Sequence, residues 1–124
     1  MIILDYRDKR PIYEQMVEKL ERLIVNGALE TDAKMPSVRS LAMDLSVNPN
    51  TVQRAYTQLE QEGYLYTISG RGSFVAPESE WRENKQGRVL SDWLDLTRQA
   101  KEAGVPKEIL QRQIRELYRE DCND

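Results

Sequence analysis

The sequence predicts a mainly α-helical chain with one small β-hairpin and a separate helical hairpin near its C-terminus. Three observations lead to this prediction. Apolar residues recur at helical spacing in several segments. Two β-rich segments flank a Gly-Arg-Gly turn near residue 70. The polar stretch from Pro77 to Gly87 then interrupts the pattern. We therefore expect domains at 1–76 and 88–124, joined by a linker at 77–87 that Trp81 anchors to the first domain.

The composition argues against catalytic and metal chemistry. Of the 124 residues 40% are hydrophobic, enough for a small core, and none is histidine. The absence of His removes the usual base for Ser and Cys nucleophiles and the commonest transition-metal ligand. We therefore predict no enzyme activity, no metal site and no cofactor. The formal net charge is −3, so binding of nucleic acid requires cations that are gathered on one face.

The cellular location is expected to be cytoplasmic. The sequence has no apolar run of membrane-spanning length and no signal-peptide pattern, and we expect no contact with a membrane. Its single cysteine, Cys122, cannot form an intrachain disulfide. An intermolecular disulfide through Cys122 is the minor alternative.

A first helix is predicted after a short N-terminal segment. Residues 2–6 suit an edge strand or an arm, and Pro11 suits the first turn of the helix that follows. Met16 and Leu20 belong to an apolar stripe that faces the core, and Gly27 ends the helix. Residues 28–35 then form a loop.

Two short helices joined by a tight turn come next. Ser37 can cap the first by accepting a backbone N–H bond, and Asn48 followed by Pro49 is a start signal for the second. Val52 and Tyr56, one turn apart, predict the buried face of the second helix. This order predicts a helix-turn-helix, which the following β-hairpin extends to a winged helix-turn-helix.

The exposed face of the second helix carries the side-chain types that read base edges in the major groove of DNA. The predicted contacts are Asn50, Thr51, Gln53, Arg54 and Thr57. Such a face alone more often indicates an ordinary solvated surface. The helix-turn-helix setting and the adjacent hairpin reverse that preference in favour of DNA.

Contacts with the DNA phosphates are predicted for Lys34, Arg39, Arg54 and Arg71, and Ser37 can add a hydroxyl bond. Gly70 and Gly72 flank Arg71 in the hairpin turn. For Arg39 the alternative is a surface ion pair with Asp44 or Glu60. The two glycines would let Arg71 enter a narrow minor groove, whereas the simpler alternative is a tight turn.

The C-terminal helices are predicted to form a homodimer. Apolar residues spaced by four, three, four and three positions form a coiled-coil-like seam from residue 88, and Gly104 and Pro106 precede a second helix. Two such helices bury too little surface alone, so an identical pair from a second subunit is the simplest partner. The predicted interface residues are Val89, Trp93, Leu96, Ala100, Leu110, Ile114 and Leu117. A small-molecule effector site near Trp93 is left open, although a core role is the simpler interpretation.

These features predict a sequence-specific DNA-binding protein that binds a palindromic double-stranded site as a homodimer. A dimer doubles the few cations of each head and approaches the roughly 6–10 phosphate contacts that give strongly salt-dependent binding. The alternative is a winged helix that contacts other proteins and does not bind DNA.

Three segments in order resemble the winged-helix domain of GntR-type bacterial transcription regulators: PIYEQMVEKLERLIVNGAL, KMPSVRSLAMDLSVNPNTVQRAYTQLEQEGYL and GRGSFV. The Asn-Pro-Asn-Thr-Val form and the short two-helix tail are similar to the YtrA subfamily. The resemblance implies a homodimeric, usually repressing regulator. It assigns DNA contacts to Ser37, Arg39, Asn50, Thr51, Arg54 and residues 70–72. Many family members carry Arg where this chain has Pro49 and Gln53, so their base preferences do not transfer.

Overall fold

A computed structural model describes residues 2–122 of the chain, with side chains described for residues 2–120. These residues form α1 (Ile12–Val25), α2 (Val38–Leu45), α3 (Pro49–Gln61), β1 (Leu65–Ile68), β2 (Gly72–Val75), a 3-10 turn (Glu78–Glu80), α4 (Arg82–Glu102) and α5 (Lys107–Cys122). The chain divides into two compact units, Met1–Asn84 and Lys85–Asp124. The predicted mainly α fold with one β-hairpin is confirmed. The side chain of Cys122 lies outside the described part, and so does the disulfide hypothesis.

The core of the first unit lies between α1, α2, α3 and the hairpin. Met16 and Leu20 of α1 and Val52 and Leu59 of α3 are fully buried, and α3 packs against both α1 and α2. These side chains recur at three- and four-residue spacing, so each helix turns one apolar face inward and leaves its polar face outside. Burial of this apolar surface is the main source of stability for the unit.

Both predicted helix starts of the helix-turn-helix are confirmed. The Oγ atom of Ser37 accepts a bond of 3.0 Å from the Ser40 N–H, and Oδ1 of Asn48 accepts one of 2.8 Å from the Asn50 N–H. Ser46 ends α2 in the left-handed conformation at φ 55°. These local bonds satisfy backbone donors that have no partner within the helices, and they set where α3 begins.

The β-hairpin pairs Leu65 with Val75 and Ile68 with Gly72 in antiparallel register. The predicted Gly-Arg-Gly turn is therefore one residue too long, because its second glycine, Gly72, belongs to β2. The loop before α2 also pairs with β2, through a bridge between Lys34 and Phe74 and a bond of 2.8 Å from the Met35 N–H to the Ser73 carbonyl. The loop prediction missed this pairing because long-range strand contacts leave no local sequence period.

The N-terminal residues form an arm, and the alternative of an edge strand is wrong. Ile2 is buried in the core, although residues 2–5 have no strand pairing. Gln15 of α1, which is 1% exposed, accepts a bond of 2.9 Å from the Asp5 N–H and donates one of 2.9 Å to the Asp5 carbonyl. The arm is thus bound to α1 through a side-chain amide.

The predicted linker at 77–87 needs correction, because residues 82–87 form the first turns of α4. Polar composition suggested an irregular segment, but an exposed helix needs no apolar face, and an ion pair links Arg82 to Glu78 one turn earlier. Trp81 anchors this region as predicted. Its ring is buried and stacks on Tyr64 at 5.3 Å between centroids.

Gly63 makes room for this segment at the end of α3. Its φ is +88°, and a Cβ atom there would stand 2.5 Å from the carbonyl oxygen of Glu80. No L-residue fits both the conformation and the space, so glycine is required for the chain to pass this close.

The second unit contains most of α4 and all of α5. Gly104 separates the two helices with φ +84°, and the Val105 N–H donates a bond of 2.9 Å to the Ala100 carbonyl at the end of α4. Within residues 2–122, no helix combines the length and the hydropathy that a membrane crossing requires.

Candidate nucleic-acid interface

The outer face of α3 presents the polar side chains that the sequence predicts for base reading. Asn50, Gln53, Arg54 and Thr57 are exposed and Thr51 is half-buried, while Val52, Ala55, Tyr56 and Leu59 on the other side are buried. Nε2 of Gln53 donates a bond of 3.2 Å to Oγ1 of Thr57. The helix therefore offers amide, hydroxyl and guanidinium groups on one continuous surface.

Tyr13 of α1 is part of this surface, and sequence reasoning missed it. The Cζ atom of Arg54 lies over the Tyr13 ring, 3.7 Å from its centroid, which is a cation–π contact. A shallow depression of about 440 Å³ is lined by Pro11, Ile12, Tyr13, Asn50, Thr51 and Arg54. The contact joins residues 41 positions apart in sequence, and only the packing of α1 on α3 brings them together.

The loop before α2 adds Lys34, the N-cap of α2 adds Ser37, and the first turn of α2 adds Arg39, all exposed. The Oγ atom of Ser37 accepts the capping bond, and its O–H remains a donor that an anion can use. The alternative ion pair of Arg39 with Asp44 or Glu60 is absent from the described part of the chain. The charge of Arg39 is therefore available to a partner.

The hairpin turn lies close to this loop. Arg71 is exposed beside Gly72, whose φ is +113°, and a Cβ atom at residue 72 would stand 3.3 Å from Cε of Lys34. A second link ties the hairpin to the loop, because the Tyr66 hydroxyl donates a bond of 2.8 Å to Oδ1 of Asp32. This bond to the carboxylate raises the pKa of Tyr66. The loop and the hairpin are therefore in contact, and they carry the two cations Lys34 and Arg71.

This surface gathers positive charges, although the chain as a whole has a net charge of −3. It carries four exposed cations, Lys34, Arg39, Arg54 and Arg71. Within the described residues none of the four forms an ion pair. The carboxylates of Glu60 and Glu62 lie at the far end of α3. The surface is therefore suited to phosphate. Among residues 2–120, whose side chains are described, no group of His, Cys, Asp or Glu could hold a metal ion.

A groove of about 610 Å³ lies within the second unit. Its lining is Gln86, Val89, Leu90, Trp93, Ile114, Leu117 and Tyr118. The structure thus brings together four of the predicted interface residues, Val89, Trp93, Ile114 and Leu117. The other three predicted interface residues do not line the groove. Leu96 is exposed, and Ala100 and Leu110 are half-buried. Leu90 was not predicted, although its apolar character and its position next to Val89 are visible in sequence. Tyr118 was predicted to lie on the apolar side of the last helix but was not named as an interface residue.

Known proteins share this architecture. Residues 12–75 match the family model described as bacterial regulatory proteins, gntR family. The HTH-type transcriptional repressor YtrA of Bacillus subtilis (strain 168) is 37% identical over 119 residues, which cover 94% of this chain and 92% of that protein.

Solved structures agree with this assignment. A transcriptional regulator from Oenococcus oeni superposes with a TM-score of 0.74 at 29% identity and covers 95% of this chain and 97% of its own. AraR(DBD), solved in complex with operator ORR3, matches 61% of this chain and 92% of its own with a TM-score of 0.53 at 30% identity. The resemblance found in the sequence is confirmed. The chain belongs to the GntR family of bacterial regulatory proteins and is a transcriptional regulator rather than an enzyme.

Proposed function

We propose that this regulator is a repressor that binds a palindromic operator as a homodimer in the bacterial cytoplasm. The observation that carries the proposal is the apolar groove of the Lys85–Asp124 unit. Val89, Leu90 and Trp93 of α4 and Leu117 and Tyr118 of α5 are each between 47% and 70% exposed in a single chain. Contiguous apolar surfaces of this kind usually mark an interaction site.

A second copy of the chain is the occupant that we propose for the groove. A two-fold axis would place the same apolar face of each subunit against the other, so one set of side chains covers both. The exposed cations of one subunit, Lys34, Arg39, Arg54 and Arg71, would then be doubled. The resulting eight cations lie within the range of roughly 6–10 phosphate contacts that gives strongly salt-dependent DNA binding.

The first unit would contact DNA in two ways. Base reading falls to the face of α3, through Asn50, Thr51, Gln53, Arg54 and Thr57. Lys34, Ser37 and Arg39 would contact the sugar-phosphate backbone and so position the domain on the DNA. The wing, which consists of Gly70, Arg71 and Gly72, would enter the minor groove. Because paired heads impose their two-fold symmetry on the DNA, the operator should be palindromic, with half-sites about one helical turn or a multiple apart.

The repressing role is supported by one relative. YtrA of Bacillus subtilis is named a transcriptional repressor and aligns with nearly the whole of this chain. Binding to DNA also requires a location where DNA is present, which for a bacterial regulator is the cytoplasm.

The proposal is tested by selecting duplexes from a random pool with the purified chain at two salt concentrations, and by measuring its molar mass by light scattering. We expect twice the chain mass, a palindromic selected sequence, and affinity that falls steeply with salt. Dimers that select no sequence would indicate a winged helix that meets protein instead. A monomer that selects one half-site would contradict the palindrome. Reporter expression from a promoter carrying the selected site should fall when the protein is present, and a rise would contradict repression.

A further inference from the structure

We infer that Tyr13 is a positioning residue for Arg54, so that base discrimination by α3 depends on an aromatic ring in α1. The inference rests on the proposed reading of DNA by α3 and adds a residue from a different helix. Its basis is the position of the Arg54 guanidinium over the Tyr13 ring, with Cζ 3.7 Å from the centroid.

The geometry favours a role in recognition. Arg54 is exposed on the polar face of α3, whereas Tyr13 is half-buried and packs against the core. The ring is therefore held in place by the fold, and the arginine rests on it at the rim of the depression that also includes Asn50 and Thr51. A fixed ring beside a flexible cation can restrict the orientations of that cation.

The chemistry of the contact leaves the arginine free to bind a base. Cζ of Arg54 stands 3.7 Å from the ring centroid, a distance at which the guanidinium can lie face to face with the ring. Stacking uses the face of the guanidinium, while its N–H donors lie in the plane and can reach two acceptors such as guanine O6 and N7. An arginine that is already restricted loses less conformational freedom when it binds. The ring should thus strengthen the interaction with the correct base.

The other contact of Tyr13 does not reach the interface. Its hydroxyl donates a long bond of 3.4 Å to Oε1 of Glu14, its neighbour in α1. The ring and the hydroxyl can therefore be separated by substitution. Tyr13→Phe keeps the ring and removes the hydroxyl, and Tyr13→Leu keeps an apolar side chain against the core and removes the aromatic face.

The experiment uses the duplex selected by the unaltered chain and single-base variants of it. The measured quantity is the ratio of dissociation constants at the base pair where Arg54→Ala abolishes discrimination. We expect Tyr13→Leu to lower this ratio by about two- to fivefold, with other base pairs and the salt dependence unchanged. Tyr13→Phe should change it by less than about twofold. In the Arg54→Ala background, Tyr13→Leu should add no further loss.

Several results would overturn the inference. Equal weakening on every duplex would assign Tyr13 to phosphate contact or to folding, which circular dichroism of each variant separates. A loss in Tyr13→Phe as large as in Tyr13→Leu would assign the effect to the hydroxyl. An unchanged ratio in Tyr13→Leu would leave no role for the ring.

A second measurement on the free protein separates this inference from the proposed function. The ring current of Tyr13 should displace the NMR signal of the Arg54 Nε–H, and Tyr13→Leu should return it to an ordinary position. If the chain selects a DNA sequence but the signal does not respond, the positioning role fails and DNA reading stands. If the chain selects no sequence, the proposed function fails and the inference fails with it.

Discussion

Lys34 passes beside Gly72, so that a Cβ atom at residue 72 would stand 3.3 Å from its Cε atom. This relationship joins the loop before α2 to the wing. It also places the ammonium-bearing side chain of one cation next to the backbone that carries another, Arg71. Four experiments test consequences of this surface and of the rest of the fold.

Substitution of Gly72 should weaken DNA binding. Gly72→Ala places a Cβ atom on a residue with φ +113°, a conformation that only glycine adopts without strain. The new atom also crowds the side chain of Lys34. We expect a loss of unfolding free energy of about 1–3 kcal/mol and reduced affinity for every duplex. Gly70→Ala is the matched control, because Gly70 also has positive φ (+78°) but nothing lies within 4 Å of its Cβ position. Because Gly70 is itself part of the wing, the comparison is made on stability, and equal losses of unfolding free energy in both variants would exclude a role for crowding at Lys34.

Arg54 and Lys34 should affect DNA binding in different ways. Arg54→Ala should cost about 1–3 kcal/mol of discrimination at one base pair if the contact with guanine is bidentate. Lys34→Ala should weaken binding to all sequences and lower the slope of log affinity against log salt by about one per subunit. Fluorescence anisotropy over a salt series measures both. An unchanged sequence preference and affinity in Arg54→Ala would show that the assignment of the reading helix is wrong.

A charge in the groove of the second unit should dissociate the dimer. Leu117 lines the groove and is 61% exposed in the single chain, so Leu117→Glu would bury a carboxylate without a partner in a dimer. Sedimentation should show a shift from dimer to monomer. Gln111→Glu adds the same charge at an exposed residue of α5 outside the groove lining. The control variant should remain dimeric, and a dimeric Leu117→Glu protein would place the interface elsewhere.

Tyr56 should make the first unit sensitive to alkaline pH. Burial raises the pKa of Tyr56 from 10.0 to about 12, and its hydroxyl donates a bond of 2.7 Å to the Pro36 carbonyl. The folded state therefore keeps the proton that the unfolded state loses first. The stabilisation is complete below pH 10 and is lost as pH rises toward 12.

Tyr56→Phe checks this expectation. At neutral pH it should lower the free energy of unfolding by about 1 kcal/mol, because the hydrogen bond is lost. Between pH 10 and 12 the variant should lose less stability than the unaltered chain. The free energy of unfolding of both proteins is measured by denaturant titration across this pH range. An equal decrease in both proteins would contradict the role of Tyr56.

Local features were predicted well because their causes are local. Ser37 and Asn48 cap their helices with their own side chains, and the spacing of Val52 and Tyr56 identifies the buried face of α3. Such signals depend on residues within one or two turns of each other. The same reasoning correctly assigned Trp81 as an anchor, since a lone large aromatic residue in a polar segment usually finds an apolar contact.

Errors arose where local composition was ambiguous. Residues 82–87 are polar and were predicted as a linker, but an exposed helix has the same composition. Gly72 was assigned to a turn, although it is the first residue of β2 and pairs with Ile68 in the antiparallel register. In both cases the segment lacked the apolar period that distinguishes one element from another.

The amino-acid order alone was sufficient to identify the helix-turn-helix, the hairpin, the polar face of α3 and the family. Each of these is carried by spacing, capping and motif order along the chain. Only the tertiary structure revealed three further features. They are the bridge between Lys34 and Phe74, the position of the Tyr13 ring under Arg54, and the groove that α4 and α5 share. These contacts join residues that are distant in sequence, and their geometry depends on how complete helices and strands pack, which no local pattern encodes.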